Sequence, residues 1–270
     1  MRLTVRHVTT YDYDAPVPYG LMQCRLKPKD SAQQRVLSWD LQIEGGNREL
    51  GFTDQNNNRV TLLGFEPGAT RLVLTAVGEV ETTDTAGVVG PHGGYMPLWL
   101  FERPTALTRS GRACRALISD LPDGDDLTGR LHALSGAIRD AIAWTPGKSE
   151  VSWSAEDALR AGHGVCQDHA HVFVACARAM GVPARYVSGY LMMTDRIDQD
   201  ATHAWAEAHV DGLGWVGFDI SNGISPDERY VRVATGLDYA EAAPIHGIRQ
   251  GGAGESLSVS LAVEQMHQQQ

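Results

Sequence analysis

Residues 162–181, GHGVCQDHAHVFVACARAMG, decide how the rest of the chain is read. At helical spacing Cys166, Ala170, Phe173, Ala177 and Met180 form one stripe, with the cysteine as its first member. Gly162 and Gly164 give a flexible approach, and Gly181 followed by Pro183 gives a stop, so both ends of a helix are marked. A thiol in that first turn faces unpaired amides and the positive end of the helix dipole, which favour thiolate over thiol. Free cysteine is also a common packing residue. The stretch alone therefore leaves Cys166 two roles, nucleophile or core, while Cys176 in mid-helix reads as packing.

Composition narrows the choice of function. The chain has 270 residues, 29 glycines, 43% hydrophobic and 21% charged residues, and a formal net charge of -10. It is long enough for one large domain or two ordinary ones, loop-rich and with substantial β content. An acidic chain repels phosphate backbones, so nucleic acid is not an expected partner. No apolar run approaches the roughly 18 residues of a membrane helix, and the opening MRLTVRHVTTYDY alternates like a strand, unlike a signal-peptide core. The expectation is a cytoplasmic protein. Four scattered cysteines without a C-x-x-C pair predict reduced thiols, with no disulfide scaffold and no structural zinc.

Along the chain, residues 1–83 carry short alternating runs split by Gly, Pro, Asn and Asp, and predict an antiparallel β-sandwich or barrel. The Gln55-Asn56-Asn57-Asn58 run reads as a hairpin turn, because Asn tolerates the left-handed conformation. Residues 84–106, rich in Gly, Pro and aromatics, read as a linker packed across a domain interface. Residues 107–265 read as the core and 266–270 as a disordered tail. Within the core, Leu127, Leu131, Leu134, Ile138 and Ile142 mark a helix capped by Asp125 or Asp126, and Ser154-Ala155-Glu156-Asp157 resembles a capping box for a short helix ending at Gly162. His163 in the Gly-His-Gly connection reads as a polar loop residue. The loop acids Asp195, Asp198 and Asp200 do not have EF-hand spacing and read as a solvated loop.

His203-Ala204-Trp205-Ala206-Glu207-Ala208-His209-Val210 alternates strictly, turns at Asp211-Gly212-Leu213-Gly214 and returns through Trp215-Val216-Gly217-Phe218-Asp219, which predicts a hairpin. If Val210 pairs with Gly214 or Trp215, Asp219 lies two or three residues from His203, roughly 7 to 10 Å along the strand. A thiol at a helix start, a histidine opening a strand and an aspartate on its partner are the parts of an activated-nucleophile triad. His169 and His171 are two residues apart on a helix and diverge by about 200°, so no shared metal is expected. Asp168, in the first helical turn, reads as a residue that bonds free amides there.

Four motifs carry a resemblance: G-x-G-V-C-Q-D-x-A-H at 162–171, G-V-P-A-R-Y-V-S-G-Y at 181–190, H-A-W-A-E at 203–207 and G-W-x-x-F-D-x-x-N-G at 214–223. In this order they resemble the core of the transglutaminase-like superfamily. The opening His7-Val8-Thr9-Thr10-Tyr11 and the run from Asp227 to Gly247 are similar to bacterial members with an extra N-terminal β domain. The resemblance implies an α+β fold: an N-terminal antiparallel β-sandwich or barrel, then a papain-like core in which the cysteine helix packs on an antiparallel sheet. It implies Cys166 as nucleophile, His203 as general acid and base, and Asp219 as the partner that orients the ring. The oxyanion donor would be the Cys166 backbone N–H with one upstream group, and Gln167, Trp144 and Trp153 are the candidates for lining the cleft.

One departure is that family members usually have Asp-Pro-Thr where this chain has Asp219-Ile220-Ser221, which would shift the backbone at the aspartate. The implied chemistry is acyl transfer at an amide bond of a peptide or protein through a cysteine thioester. Hydrolysis, as in a cysteine peptidase or amidase, is the expected outcome. Transfer to an amine, as in a protein-glutamine transglutaminase, is one alternative, and a non-catalytic binding or assembly module that keeps the fold is another. No cofactor is expected, and the oligomeric state is left open.

Overall fold

The computed structural model describes residues 1–122, 124, 126–199, 201–251 and 254–266. Its first strands are β1 (Arg2–Tyr13), β2 (Tyr19–Lys27), β3 (Gln34–Glu44), β4 (Gly46–Thr53), β5 (Arg59–Phe65) and β6 (Arg71–Thr82). In β6 every second residue is buried, which turns Leu72, Leu74, Ala76 and Val80 to one face. That face meets Met22, Cys24 and Leu63 from β2 and β5, so two antiparallel sheets close face to face as a sandwich. Of the two expectations, sandwich or barrel, the sandwich is the one formed.

The segment after β6 joins the next layer. Val88–Gly90 forms β7, and a short 3-10 turn at Leu98–Glu102 buries Phe101 edge-on against Trp215. Residues 84–106, expected to bridge a domain interface, thus pack on the core sheet through an edge strand and an aromatic contact. Helices follow: α1 (Arg112–Ser119), α2 (Leu127–Ala141), α3 (Ala155–Ala161) and α4 (Cys166–Ala179), with the two-residue strands β8 (Ala143–Trp144) and β9 (His163–Gly164) between them. The caps form as their sequences predict. Asp126 accepts from the amides of Thr128 and Gly129, while Asp125 lies outside the described residues. Ser154 and Asp157 complete a reciprocal capping box, and Gly162 ends α3 in the left-handed conformation at φ 67°.

The chain then runs through β10 (Ala184–Leu191), β11 (Asp198–Gln199), β12 (His203–Val210), β13 (Gly214–Phe218), β14 (Tyr230–Gly236), α5 (Tyr239–Ala242), β15 (Ile245–Gln250) and β16 (Glu255–Gln265). An antiparallel sheet in the order β14-β10-β12-β13-β7 lies against α4, which α1, α2 and α3 cover, while α5 packs on β14 and β10. Every residue of α4 from Asp168 to Arg178 is buried, so the apolar stripe that starts at Cys166 is one part of a helix enclosed on all sides. Phe173 stacks on Phe218 with ring centroids 4.9 Å apart, joining helix to sheet. Truncating Phe173 to alanine would cost about 3–5 kcal/mol, as large-to-small changes in closed cores do.

Strands β15 and β16, grouped by the sequence with the core, pair instead with β2 and β1 of the sandwich. The reason is edge satisfaction: β1 and β2 would otherwise expose unpaired backbone groups. Met266, placed in the expected tail, still donates its amide to Arg2 O at 2.9 Å, and residues 267–270 lie outside the described residues.

The two layers are also stitched side chain to backbone. Asn57 takes the left-handed conformation expected of the turn, at φ 63°. Its neighbour Asn58 is buried against β14, where Asn58 Nδ2 donates to Thr235 O at 2.7 Å and Thr235 N donates to Asn58 Oδ1 at 2.9 Å. Gln34 makes the same two-way contact with the Arg232 backbone. Among the described residues no helix is long and apolar enough to cross a membrane.

Candidate active site

The nucleophile candidate is positioned by backbone geometry upstream of it. β8 and β9 pair in parallel, with Trp144 opposite Gly164, so the chain enters α4 already fixed to the end of α2. Val165 is the cap residue, and its amide donates to Asp168 Oδ2 at 2.7 Å, the amide-binding role the sequence predicts for Asp168. A Cβ on Gly164 would lie 2.7 Å from the Asp168 Cβ, so glycine is what lets this cap close. Cys166 follows as the first residue of α4, half-buried, beside Tyr186 and Ala204.

The hairpin has the register predicted from sequence. Val210 pairs with Gly214 and Ala206 with Phe218, which sets Asp219 one step beyond, near Trp205. The remaining gap along the strand is closed by side chains: His203 Nε2 lies 2.6 Å from Asp219 Oδ2. With Nε2 so engaged, His203 also lies close enough to the Cys166 side chain for the sulfur to add to the basicity of the ring. The structure thus brings Cys166, His203 and Asp219 together in the expected order.

Electrostatics follow from this contact. Burial alone would lower the basicity of His203, but Asp219 and then Cys166 outweigh it and push the ring up from 6.5 to about 10. For Asp219, burial would raise the carboxyl, and the charge and hydrogen bond of His203 with those of Asn222 and Tyr230 hold it below its ordinary value. Asn222 Nδ2 and the Tyr230 hydroxyl each donate to Asp219 Oδ2 at 2.7 Å, and the Asn222 amide donates to Oδ1 at 3.2 Å. Asp219 is fully buried, and the site holds it as the anion.

Two of these partners carry no assigned role in the sequence. Asn222 lies inside the G-W-x-x-F-D-x-x-N-G motif, and its spacing three residues after an aspartate in a turn is a readable signal. Tyr230 sits eleven residues downstream on β14, and nothing in its local pattern marks it.

The cleft candidates separate. Trp144 stands beside Gly164 with 57% of its surface exposed. Gln167 reaches across to donate from Nε2 to Val151 O at 3.1 Å, tying the loop before α3 to the start of α4. Trp153 instead turns toward the helical core and lies 5.5 Å from the His163 ring. His163 bonds Ala161 O at 2.9 Å through Nδ1. His171 Nε2 accepts from the Tyr239 amide at 3.1 Å while His169 faces Ile142 and Val165, so the two helix histidines serve separate backbone contacts. Of the loop acids, Asp195 pairs with Arg196, Asp198 is exposed in β11, and Asp200 lies outside the described residues.

Residues 116–220 match the model of the transglutaminase-like superfamily, and residues 3–81 match that of the bacterial transglutaminase-like N-terminal region. Residues 116–220 thus form a transglutaminase-like core behind a bacterial transglutaminase-like N-terminal region. An uncharacterized protein of Mycobacterium leprae is 28% identical across 98% of this transglutaminase-like chain and 99% of its own length. An uncharacterized protein of Mycobacterium tuberculosis is 29% identical across 92% and 87%. The crystal structure of a candidate cysteine protease from Cytophaga hutchinsonii shares the fold, with a TM-score of 0.78 at 21% identity over 99% of this chain and 92% of that one.

Proposed function

We propose that this protein is a cysteine-dependent acyl transferase acting on amide bonds of peptides or proteins, with water as the acyl acceptor. The observation that carries the reading is the 2.6 Å contact of His203 Nε2 with the buried Asp219 carboxylate beside Cys166 at the start of α4, which with the nearby sulfur raises His203 to about 10. At neutral pH that ring holds its proton and pairs with a thiolate.

The Cys166 sulfur attacks the amide carbonyl, and the Cys166 backbone N–H with one upstream group would stabilise the developing oxyanion. His203 gives its proton to the leaving amine as the C–N bond breaks, leaving a thioester. Acylation removes the sulfur charge that helps hold the His203 proton, so the ring gives it up more readily at this step than in the free protein. Neutral His203 then takes a proton from water, the hydroxide attacks the thioester, and the acid product leaves with Cys166 again a thiolate. Asp219 keeps the ring oriented throughout, held in turn by Asn222 and Tyr230. Water as acceptor is supported by the half-buried Cys166, which leaves the thioester within reach of solvent.

The test is mass spectrometry of products from a peptide library incubated with the protein, with and without a small primary amine, using Cys166→Ala as control. Gain of one water per cleaved bond supports hydrolysis. Loss of ammonia with gain of the amine replaces that reading with transglutaminase activity, and no change relative to Cys166→Ala points to the non-catalytic binding module.

A further inference from the structure

We infer that Ser221 and His169 form a positioning pair that fixes the distance between the nucleophile helix and the aspartate turn, independently of His203. The inference rests on the reading of Cys166, His203 and Asp219 as the reacting groups. It starts from the departure in the sequence, Asp219-Ile220-Ser221, where the usual proline is absent.

Without a ring to restrict it, the backbone at Asp219 is held by three other means. Asp219 N donates to Ile224 O at 2.8 Å and Gly223 N donates to Asp219 O at 2.8 Å, which closes the turn on itself. The Ile220 side chain is 1% exposed and belongs to the core cluster of α2 and α4. The third restraint leaves the turn altogether: Ser221 Oγ lies 3.2 Å from His169 Nδ1, a contact between residues 52 apart in sequence.

His169 is well placed to receive it. It lies one turn after Cys166 on α4 and is 1% exposed. Its Nε2 is 3.0 Å from Ile142 O, two residues before Trp144, and its Nδ1 is also 2.9 Å from Val165 O, the residue before Cys166. One ring therefore touches the approach to the cleft tryptophan, the cap of the nucleophile helix and the tip of the aspartate turn. A hydroxyl can donate to an unprotonated Nδ1, or share the single N–H of a protonated one with Val165 O. Alanine at 221 removes the link, and threonine keeps the hydroxyl.

The consequence is a division of labour. Asp219 orients His203 through Oδ2, while Ser221 ties the same turn to α4, so the spacing from sulfur to carboxylate does not depend on the imidazole between them. A small slip in that spacing would weaken the pairing of thiolate with imidazolium without unfolding anything.

The test compares wild type, Ser221→Ala and Ser221→Thr by titrating the ultraviolet absorbance of the Cys166 thiolate, with Cys166→Ala as blank. Asp168, Tyr186 and Tyr230, the other ionisable groups near the pair, are unchanged in each variant. Wild type and Ser221→Thr should share one midpoint, and Ser221→Ala should move it up by about half a unit to one unit, the effect of one lost hydrogen bond. Thermal midpoints show whether each variant is folded. An alanine titration that overlays wild type overturns the inference, as does an equal shift in both variants, which would make the hydroxyl irrelevant. A wild type without thiolate at neutral pH overturns the triad reading itself, and this inference with it.

Discussion

The hydroxyl of Tyr230 donates to Asp219 Oδ2 across 2.7 Å, on the same oxygen that meets His203 Nε2 at 2.6 Å. Three side chains converge on that oxygen: His203 from β12, Asn222 from the turn after β13 and Tyr230 from β14. Tyr230→Phe keeps the ring packing against Trp205 and removes a hydrogen bond to a charged acceptor. The expected outcome is a fall in kcat of about tenfold with KM little changed, measured on whichever peptide the library screen identifies.

The raised basicity of His203 sets a pH dependence of stability. The ring titrates near 6.5 unfolded and about 10 folded, so its contribution is fully present below pH 6.5 and is lost as pH rises through 10. Asp219 works in the opposite direction. Its carboxyl is held below its unfolded value of about 3.9, so its contribution is present above that pH and is lost as pH falls below it. Denaturant melts at pH 6, 8 and 10 should show wild type losing stability relative to His203→Gln across that range, with a smaller loss in Cys166→Ala, which lacks part of the opposing charge.

Gly164→Ala should disturb the start of α4. Its Cβ would lie 2.7 Å from both the Asp168 Cβ and the Asp168 Oδ2, and Asp168 can move away only by releasing the Val165 amide. A lost helix cap costs about 1 kcal/mol, so a lower melting temperature is expected together with slower alkylation of Cys166. A variant with wild-type values for both would show that the cap does not fix the nucleophile.

Asn58→Ala tests the seam between the sandwich and the core. It leaves Thr235 N and Thr235 O, both buried, without their partners. The expected loss is about 2 kcal/mol of stability with no change in the reactivity of Cys166, since Asn58 bonds Asp54 and Thr235 and not the residues around Asp219. Denaturant unfolding and thiol labelling on the same sample read the two effects separately.

Much of this was legible in the sequence where local rules decide. The helix at Cys166, the capping box at Ser154 and the hairpin register from Val210 to Gly214 each follow from spacing and turn chemistry within about twenty residues. What local rules could not reach were partnerships made in space. Glu207 alternates like a surface residue, yet it is fully buried between Arg185 at 2.6 Å and Arg232 at 2.7 Å, with Arg185 also 3.8 Å over the Trp215 ring. Burial of that charge is tolerable only because both arginines arrive from other strands. Tyr230 at Asp219, Ser221 at His169 and the return of β15 and β16 to the sandwich were hidden for the same reason. Trp144 and Trp153 could not be told apart by sequence, since both lie in the connection between α2 and α3, and only the pairing of Trp144 with Gly164 ties it to the approach to Cys166.

The most direct measurement is the rate of Cys166 alkylation by iodoacetamide as a function of pH, followed by mass spectrometry of the peptide that carries it, in wild type and His203→Ala. A sulfur activated by His203 predicts a wild-type rate at pH 6.5 about 100-fold above that of the variant. A wild-type rate that climbs tenfold per pH unit toward an ordinary thiol midpoint, unaltered by loss of His203, would contradict the account.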